Sequence, residues 1–540
     1  MNIPRLRRPH RWVIALSVVT VLLLVLRLWL DSRLELMFDE AYYALWSRHL
    51  AWSYLDHPPM VALWIRASTS LFGTSEFGVR ALGTLAAAAG GPFVYLLARR
   101  LFENRAEAAF AGLLYCAMLL VAVGAIVMTP DTPLLFFWTI AVYAVVRIFR
   151  DEDWRWWLVA GVAMGLALQS KYTAFLLGAG IAAAMVFVPP MRRWWRHPAP
   201  YAAGLIALVI FSPVVVWNFE NGWVSFAKQF GRAQFHEFSL RFLGELLGSQ
   251  VGLLTPLVFV LASGGVWMTL RDRSRGKAAE PGILLVSLIG PMLVYFLFHS
   301  THARVQGNWL APAYPVLALL ASRAAFHTGG LQGPLRQAIK LSRRHALPVG
   351  FAFAGVTYLQ ALTGLIPLNP AKDPTAQLVG WSELVRHVDA IAYKEKARYV
   401  LTSSYGLNSL LNYYATGATP IIQFNQRLRW AWFEQPRAGL FAGTGLYVSE
   451  TKKDKADDLK RCFAEVKRIG TIERRRGRAA IKRYVVYRLA RPTLPLLDPI
   501  ARERAATVRW AREQPAVRLD AAWSDQCSGT PRRTFSSDPE

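Results

Sequence analysis

The sequence predicts an all-α polytopic membrane protein of about eleven transmembrane helices, followed by a small C-terminal extracytoplasmic α/β domain. Three observations predict it. The 540 residues are 54% hydrophobic, and the apolar positions form unbroken runs near 18 residues rather than the stripes of a soluble helix. A run of that length covers a hydrocarbon core of ~30 Å. Arginines concentrate at alternate ends of the runs, as cytoplasmic loops require. Beyond about residue 369 the pattern changes to short alternating segments.

The N-terminal "MNIPRLRRPHRWVIALSVVTVLLLVLRLWL" begins like a signal peptide. Its apolar run is long and no small-residue cleavage site follows, so it reads as a retained first span with a cytoplasmic N-terminus. Candidate spans then cover 12–30, 78–98, 106–128, 132–149, 157–170, 173–190, 201–217, 245–270, 281–298, 309–326 and 347–366. The stretch 157–190 is too long for one helix and is interrupted by "QSKYT". Arg147, Arg150 and Arg155 precede it, and Arg192, Arg193 and Arg196 follow it. Like-charged flanks on one side of the membrane require two crossings, so two short helices meeting at Gln169–Thr173 are expected.

An odd number of spans places residues 369–490 outside the cytoplasm. Within them "GWSELVRHVDAIAY" and "YGLNSLLNYYA" have helical periodicity, while "RYVLTSS" and "TPIIQFN" read as strands. The organisation expected is a membrane core over 1–368, an α/β domain over 369–490, and a loosely ordered Arg-, Pro- and Asp-rich tail over 491–540. The aromatic segment 217–238 reads as an interfacial anchor.

The net charge of +27 would suggest nucleic acid in a soluble chain. Here the cations belong to the positive-inside pattern, and no basic face interleaved with aromatics appears, so a nucleic-acid partner is excluded. The three cysteines have no zinc spacing; Cys462 and Cys527 could pair outside the cytoplasm. Asp151, Glu152 and Asp153 spell a D-x-D, but they lie in a short cytoplasmic loop with no nucleotide-binding domain around it and read as a solvated charge run. No P-loop, G-x-G-x-x-G or H-E-x-x-H occurs.

The remaining unusual polar residues fall on the side opposite the arginines. Asp39, Glu40, Tyr42, Asp56 and His57 lie in the first loop, in "LELMFDEAYYALWSRHLAWSYLDHPP". Asp131 sits in "MTPDTP", Lys171 at the break between the two short helices, and His299, His302, Arg304 and Asn308 in "HSTHARVQGNW". Ionisable groups at membrane depth are costly and point to function. Each also has a plainer role. Asp39 and Asp131 are good helix N-caps, Glu40 favours a helix dipole, Asp56-His57-Pro58-Pro59 is a polar turn, and Lys171 can snorkel. Acids facing bases on one side suit an anionic lipid head group. Asp56 and His299 are candidate ligands for a divalent metal ion, although no cofactor is fixed by the sequence.

The ordered blocks "FDEAYYALWSRHLAWSYLDHPPM", "MTPDTPLLFFWTIAVYA", "GLALQSKYTAFLL" and "GNWLAPAYPVLALLAS" resemble bacterial glycosyltransferase family 39. Its members are relatives of the protein O-mannosyltransferases and of the aminoarabinose transferases that modify lipid A. The resemblance covers most of residues 34–325. It implies the GT-C fold, a polyprenyl-phosphate sugar donor, and a catalytic acid in the first external loop. The family's "D-E" pair falls on Asp39 and Glu40, and its acid after the third span on Asp131. Lys171 and Arg304 match basic positions near the donor phosphate. At Asp56-His57-Pro58 the aminoarabinose transferases have an acid followed by lysine and proline, a departure that bears on the donor sugar and on any metal.

The expected activity is transfer of a sugar, with inversion, from the lipid-linked donor to a glycolipid such as lipid A or lipopolysaccharide, at the periplasmic face of the bacterial inner membrane. Asp39 would act as general base, Glu40 is the second catalytic candidate, positioning Asp39 or the acceptor, and Arg304 and Lys171 would stabilise the departing phosphate. Tyr42, Asp56, His57, Asp131, His302 and Asn308 are further substrate-binding candidates. A protein acceptor, as in the O-mannosyltransferases, is the alternative within the class. A transporter or lipid-linked sugar flippase is the alternative outside it, but the halves show no internal repeat.

Overall fold

The computed structural model describes residues 11–232, 237–272, 276, 279–328, 331–424, 427–430, 433–434, 436 and 438–493. The chain forms two compact units. The first comprises Met1–Ser32, Ala67–Pro213 and Phe235–Tyr358; the second comprises Arg33–Arg66, Val214–Gln234 and Leu359–Glu540.

The first unit is helical. Among the described residues, seven helices of the chain are long and apolar enough to cross a membrane, or up to nine if each of two bent pairs is one span. It is a multi-span membrane protein. The count is lower than the eleven expected, for two local reasons. The expected span 106–128 divides at Met118 into Arg105–Ala117 and Leu119–Gly124. The expected span 157–170 is a 16-residue helix, Arg155–Ser170, which at 1.5 Å per residue is about 24 Å long and short for the bilayer. The break in 157–190 falls where expected, with Lys171 extended between Arg155–Ser170 and the turn Tyr172–Ala174.

The two bent pairs have identifiable causes. Leu240–Leu254 and Pro256–Arg271 meet at 109°. Thr255 between them has ψ 144°, the extended value to which a residue before proline is driven, and a φ of 72°, which is strained for a β-branched residue. Tyr172–Phe187 and Pro189–Arg196 meet at 107°, again at a proline. Glycines permit close helix approach elsewhere. A Cβ at Gly265 would lie 2.1 Å from the Leu320 carbonyl oxygen, and one at Gly180 would lie 2.3 Å from that of Leu288. Contacts this close admit only glycine, the small-residue packing that substitutes for a hydrophobic driving force in lipid.

The second unit contains a five-stranded sheet in the order β2-β1-β3-β5-β4. Its strands are β1 (Val400–Thr402), β2 (Ile421–Gln423), β3 (Gly445–Glu450), β4 (Phe463–Arg476) and β5 (Ala479–Pro492). β1 pairs in parallel with β2 and β3, whereas β3–β5 and β4–β5 are antiparallel. Helices Trp381–Lys394 and Tyr405–Tyr414 and strands β1 and β2 occupy the segments expected from the sequence. The β4–β5 hairpin was not among them. Its two strands are 14 residues each and turn through Gly477 at φ 56°, a conformation glycine adopts without a Cβ clash.

Polar contacts bind the first loop to this sheet domain. Glu35 accepts from the amides of Trp381 at 2.6 Å and Ser382 at 2.9 Å. Gly380, the residue before helix Trp381–Lys394, has no side chain to cap it, so a carboxylate from 345 positions earlier satisfies its free N–H groups. Arg474 lies 4.0 Å from the Trp381 ring and donates to the carbonyls of Ala376 and Val379. Asp373 accepts from Arg476, Gln360 and the Thr375 hydroxyl. Cys462 is disulfide-bonded; its candidate partner Cys527 lies outside the described residues, as does all of the expected tail over 491–540 beyond residue 493, while Arg491 and Pro492 belong to β5 rather than to a loose tail.

Candidate active site

In the second unit the first loop folds into helix Phe38–Arg48, with Asp39 and Glu40 in its opening turn. The helix is capped at Met37, so Asp39 is not the N-cap that its residue type allows. Glu40 takes the capping role instead, its Oε2 accepting from the Met37 amide at 3.0 Å, and its side chain is fully buried. Asp39 is half-buried, and its Oδ1 accepts from the Tyr405 hydroxyl at 2.9 Å. Gly406 lets helix Tyr405–Tyr414 approach Phe38 closely, since a Cβ there would lie 2.9 Å from the Phe38 side chain.

Asp56 is held by several donors. Its Oδ1 receives the Lys228 ammonium at 2.7 Å. Its Oδ2 receives the Arg429 guanidinium at 2.8 Å and the Tyr42 hydroxyl at 2.9 Å. Gln229 adds a bond to the Asp56 carbonyl at 2.7 Å. Asp56 is 5% exposed, so each of these bonds acts with little screening. Arg429 also lies 4.2 Å over the Tyr405 ring, whose hydroxyl holds Asp39. One tyrosine therefore joins the two acids' surroundings.

The electrostatics follow from this packing. Burial, reinforced by the Asp56 charge, raises the Tyr42 phenol well above its usual value, so it remains a donor. Tyr43 is raised by burial and then by Asp39. For Arg429, burial opposes the charge, but attraction by Asp56 and the neighbouring tyrosines outweighs it and raises the pKa. His57, half-buried, packs its ring 6.2 Å from Tyr43.

The first unit holds a separate group. Asp131 opens helix Asp131–Asp151, capped by Pro130 rather than by Asp131 itself. Its Oδ1 receives the Lys171 ammonium at 2.7 Å and its Oδ2 the Asn308 amide at 2.8 Å. Lys171 is 8% exposed and ion-paired, a more specific placement than snorkelling toward water. Arg304 is exposed and pairs with Glu245 at 3.1 Å. His302 bonds the Thr301 hydroxyl through Nδ1 at 2.9 Å, and His299 stacks on Tyr295.

Among the described residues no group of three or more His, Cys, Asp or Glu is arranged to hold a metal ion. Asp56, a metal candidate by sequence, has a lysine on one oxygen and an arginine on the other. These two cations occupy the positions in which a divalent ion would bind and repel it. His299 is buried against Tyr295.

Three members of the second-unit cluster escaped the sequence reading. Lys228 lies in the aromatic segment 217–238, and Tyr405 and Arg429 lie in the C-terminal region. Tyr405 starts a helix already expected, whereas an isolated lysine and arginine offer no pattern at all.

Residues 56–217 match the family described as "Dolichyl-phosphate-mannose-protein mannosyltransferase". The chain is 29% identical over 290 residues to "Lipid A galacturonosyltransferase RgtD" of Rhizobium johnstonii, covering 53% of this chain and 60% of that one. It is 28% identical over 321 residues to "Lipopolysaccharide core galacturonosyltransferase RgtA" of the same organism, covering 56% and 62%. The crystal structure of ArnT from Cupriavidus metallidurans in the apo state superposes with a TM-score of 0.60 at 17% identity, over 88% of this chain and 97% of that one. The chain has the GT-C fold seen in ArnT, and residues 56–217 carry the family match. Its matches span about 60% of the length of these curated relatives. A second ArnT structure, bound to undecaprenyl phosphate, superposes with a TM-score of 0.59.

Proposed function

We propose that this family 39-like chain is an integral-membrane glycosyltransferase that moves a sugar from a polyprenyl-phosphate donor to a glycolipid acceptor of the lipid A or lipopolysaccharide type. The observation that carries the reading is the Asp39–Tyr405–Arg429–Asp56 arrangement: one acid oriented by a hydroxyl, beside a second acid that anchors two cations. The curated relatives named as lipid A and lipopolysaccharide core galacturonosyltransferases support the acceptor class. The ArnT structure with undecaprenyl phosphate supports the donor class. In this proposal the reaction occurs at the periplasmic face of the bacterial inner membrane.

In the proposed step Asp39 takes the proton from an acceptor hydroxyl as its oxygen attacks the anomeric carbon. The bond from that carbon to the phosphate oxygen breaks, and polyprenyl phosphate leaves with the bonding electrons. Attack from the opposite face inverts the centre, through oxocarbenium character as in glycoside hydrolysis. Glu40 holds the helix turn that presents Asp39. Lys228 and Arg429 make the surroundings favourable to anionic groups, while Asp56 and Tyr42 fix their geometry. In the first unit, Lys171, positioned by Asp131 and Asn308, together with Arg304 and His302, is assigned to substrate binding; His57 has the same assignment in the second.

A protein acceptor is the second reading, favoured by the description of the matching family over 56–217. Comparing lipid A, other glycolipids and envelope proteins by mass spectrometry from cells with the gene, without it, and with Asp39→Asn decides between them. A sugar mass lost from lipid A in both the null and the variant supports the proposal. Loss confined to a protein fraction supports the second reading. No change in any fraction, with no accumulation of donor lipid, contradicts both.

A further inference from the structure

The second unit carries a groove of about 940 Å³ that has no part in the chemistry above. One wall is a face of helix Trp381–Lys394, where Glu383, His387, Ile391 and Lys394 recur at helical spacing. The other wall is the edge of the sheet, where β4 contributes Arg468, Thr471, Glu473 and Arg475 and β5 contributes Arg483. Glu473 and Arg483 are cross-strand neighbours, paired at 2.9 Å, and Arg475 reaches the same carboxylate at 2.6 Å. These two arginines hold the Glu473 carboxyl below its ordinary value through hydrogen bonds, so it stays an anion.

The lining contains four Lys and Arg residues against two carboxylates. Both carboxylates and the hydroxyls of Thr451 and Thr471 can bond sugar hydroxyls. Lys394 and Arg468 stand exposed at the groove, and the Arg468 guanidinium is oriented by the Thr471 hydroxyl at 2.9 Å. Arginine and lysine in this arrangement match phosphate, and the mixed polar lining matches a saccharide. The volume lies within the range of about 300–1,000 Å³ that ligand sites occupy. Edge strand β4 is long and would otherwise invite pairing with another strand; its charged face turns it toward a polar ligand.

We infer that this groove docks the phosphorylated saccharide of the glycolipid acceptor, holding it by its anionic groups while a different part of the molecule receives the sugar. The inference rests on the proposed glycolipid acceptor. It makes Lys394 and Arg468 specificity residues rather than catalytic ones.

The test uses full-length protein in detergent, with bis-phosphorylated lipid A, dephosphorylated lipid A and inorganic phosphate as probes. The variant Lys394→Glu/Arg468→Glu is compared with Lys467→Glu, an exposed change on the opposite face of β4. The double variant should bind bis-phosphorylated lipid A about tenfold more weakly, more so at low salt, since exposed charges act over roughly 10 Å at 0.1 M. It should raise the KM for lipid A with kcat and the donor KM unchanged, while Lys467→Glu behaves as wild type. Dephosphorylated lipid A should bind as poorly to wild type as the phosphorylated form does to the double variant. Inorganic phosphate should compete only weakly, which separates a docked glycolipid from a simple phosphate site; competition equal to that of lipid A would overturn the proposal. Equal binding of lipid A by wild type and double variant would also overturn it, whether or not transfer occurs. Wild type that binds lipid A through the groove but transfers no sugar to it would sink the proposed activity and leave the groove standing.

Discussion

The two acid clusters solve the same problem with different redundancy. In the second unit Asp56 is held by two cations and a tyrosine hydroxyl. In the first unit Asp131 receives one cation, Lys171, and one neutral amide, Asn308. A half-buried carboxylate with a single cation is left uncompensated when that cation is removed, whereas one with two is not. The partners of Asp39 include a neutral donor, the Tyr405 hydroxyl. The comparison sets the acid proposed to move a proton beside two acids that fix cations.

The sharpest way to break that division is Asp39→Asn. It should lower kcat by about 10²- to 10⁴-fold, the usual contribution of a general base, with an unchanged Tm. The same substitution at Asp131 should instead lower Tm, because it leaves Lys171 buried with a neutral partner. If both variants behaved alike in Tm and turnover, the separation of roles would fail.

Lys171→Met should destabilise by about 3–5 kcal/mol, the cost of stripping a buried charge of its counter-ion. Lys228→Met should cost less, about 1.5–3 kcal/mol, since Arg429 and Tyr42 remain on Asp56. Thermal unfolding of both variants in one detergent reads the difference directly, and a larger loss for Lys228→Met would reverse the comparison. Tyr405→Phe removes one hydrogen bond to Asp39, worth about 1 kcal/mol, so kcat should fall by about fivefold with the donor KM unchanged.

The smallest effect concerns pH. Burial would raise the Asp373 carboxyl, but bonds from Thr375 and Gln360 and the charge of Arg476 outweigh it and set the folded pKa below 3.8. A depressed folded pKa means the contribution is complete above 3.8 and is lost as pH falls through the folded value. Wild type should therefore lose stability more steeply than Asp373→Asn below about pH 4. Parallel acid unfolding curves for the two would contradict this assignment.

Much of the membrane fold is legible because lipid allows few solutions. Unbroken apolar runs become helices, and the break at "QSKYT" appears at Lys171 as the flanking arginines require. The count of spans is less legible. Whether 106–128 continues through Met118 depends on packing, which composition does not report. In the sheet domain, β1 and β2 show as short apolar runs, but β4 ends in an unbroken charged run, Glu473-Arg474-Arg475-Arg476. Arg474 and Arg476 are spent on Trp381 and Asp373, so a charged strand reads as a solvated loop until its partners are known.

The site divides in the same way. Asp39, Asp56, Asp131 and Lys171 stood out because charge beside apolar spans is costly. Lys228 and Arg429 did not, because nothing local distinguishes a cation destined for an acid 172 or 373 positions earlier. Asp39 as N-cap was a fair reading of residue type. The chain caps that helix through Glu40 instead, which leaves Asp39 to be oriented by Tyr405.

The most direct measurement is transfer by the purified protein. Wild type and Asp39→Asn are each incubated with a polyprenyl-phosphate sugar and lipid A, and both lipids are followed by mass spectrometry. The account predicts glycosylated lipid A and an equal amount of polyprenyl phosphate from wild type, with both products reduced at least about a hundredfold in the variant. Equal product from a folded Asp39→Asn protein, or no product from wild type with any polyprenyl-phosphate sugar supplied, would contradict it.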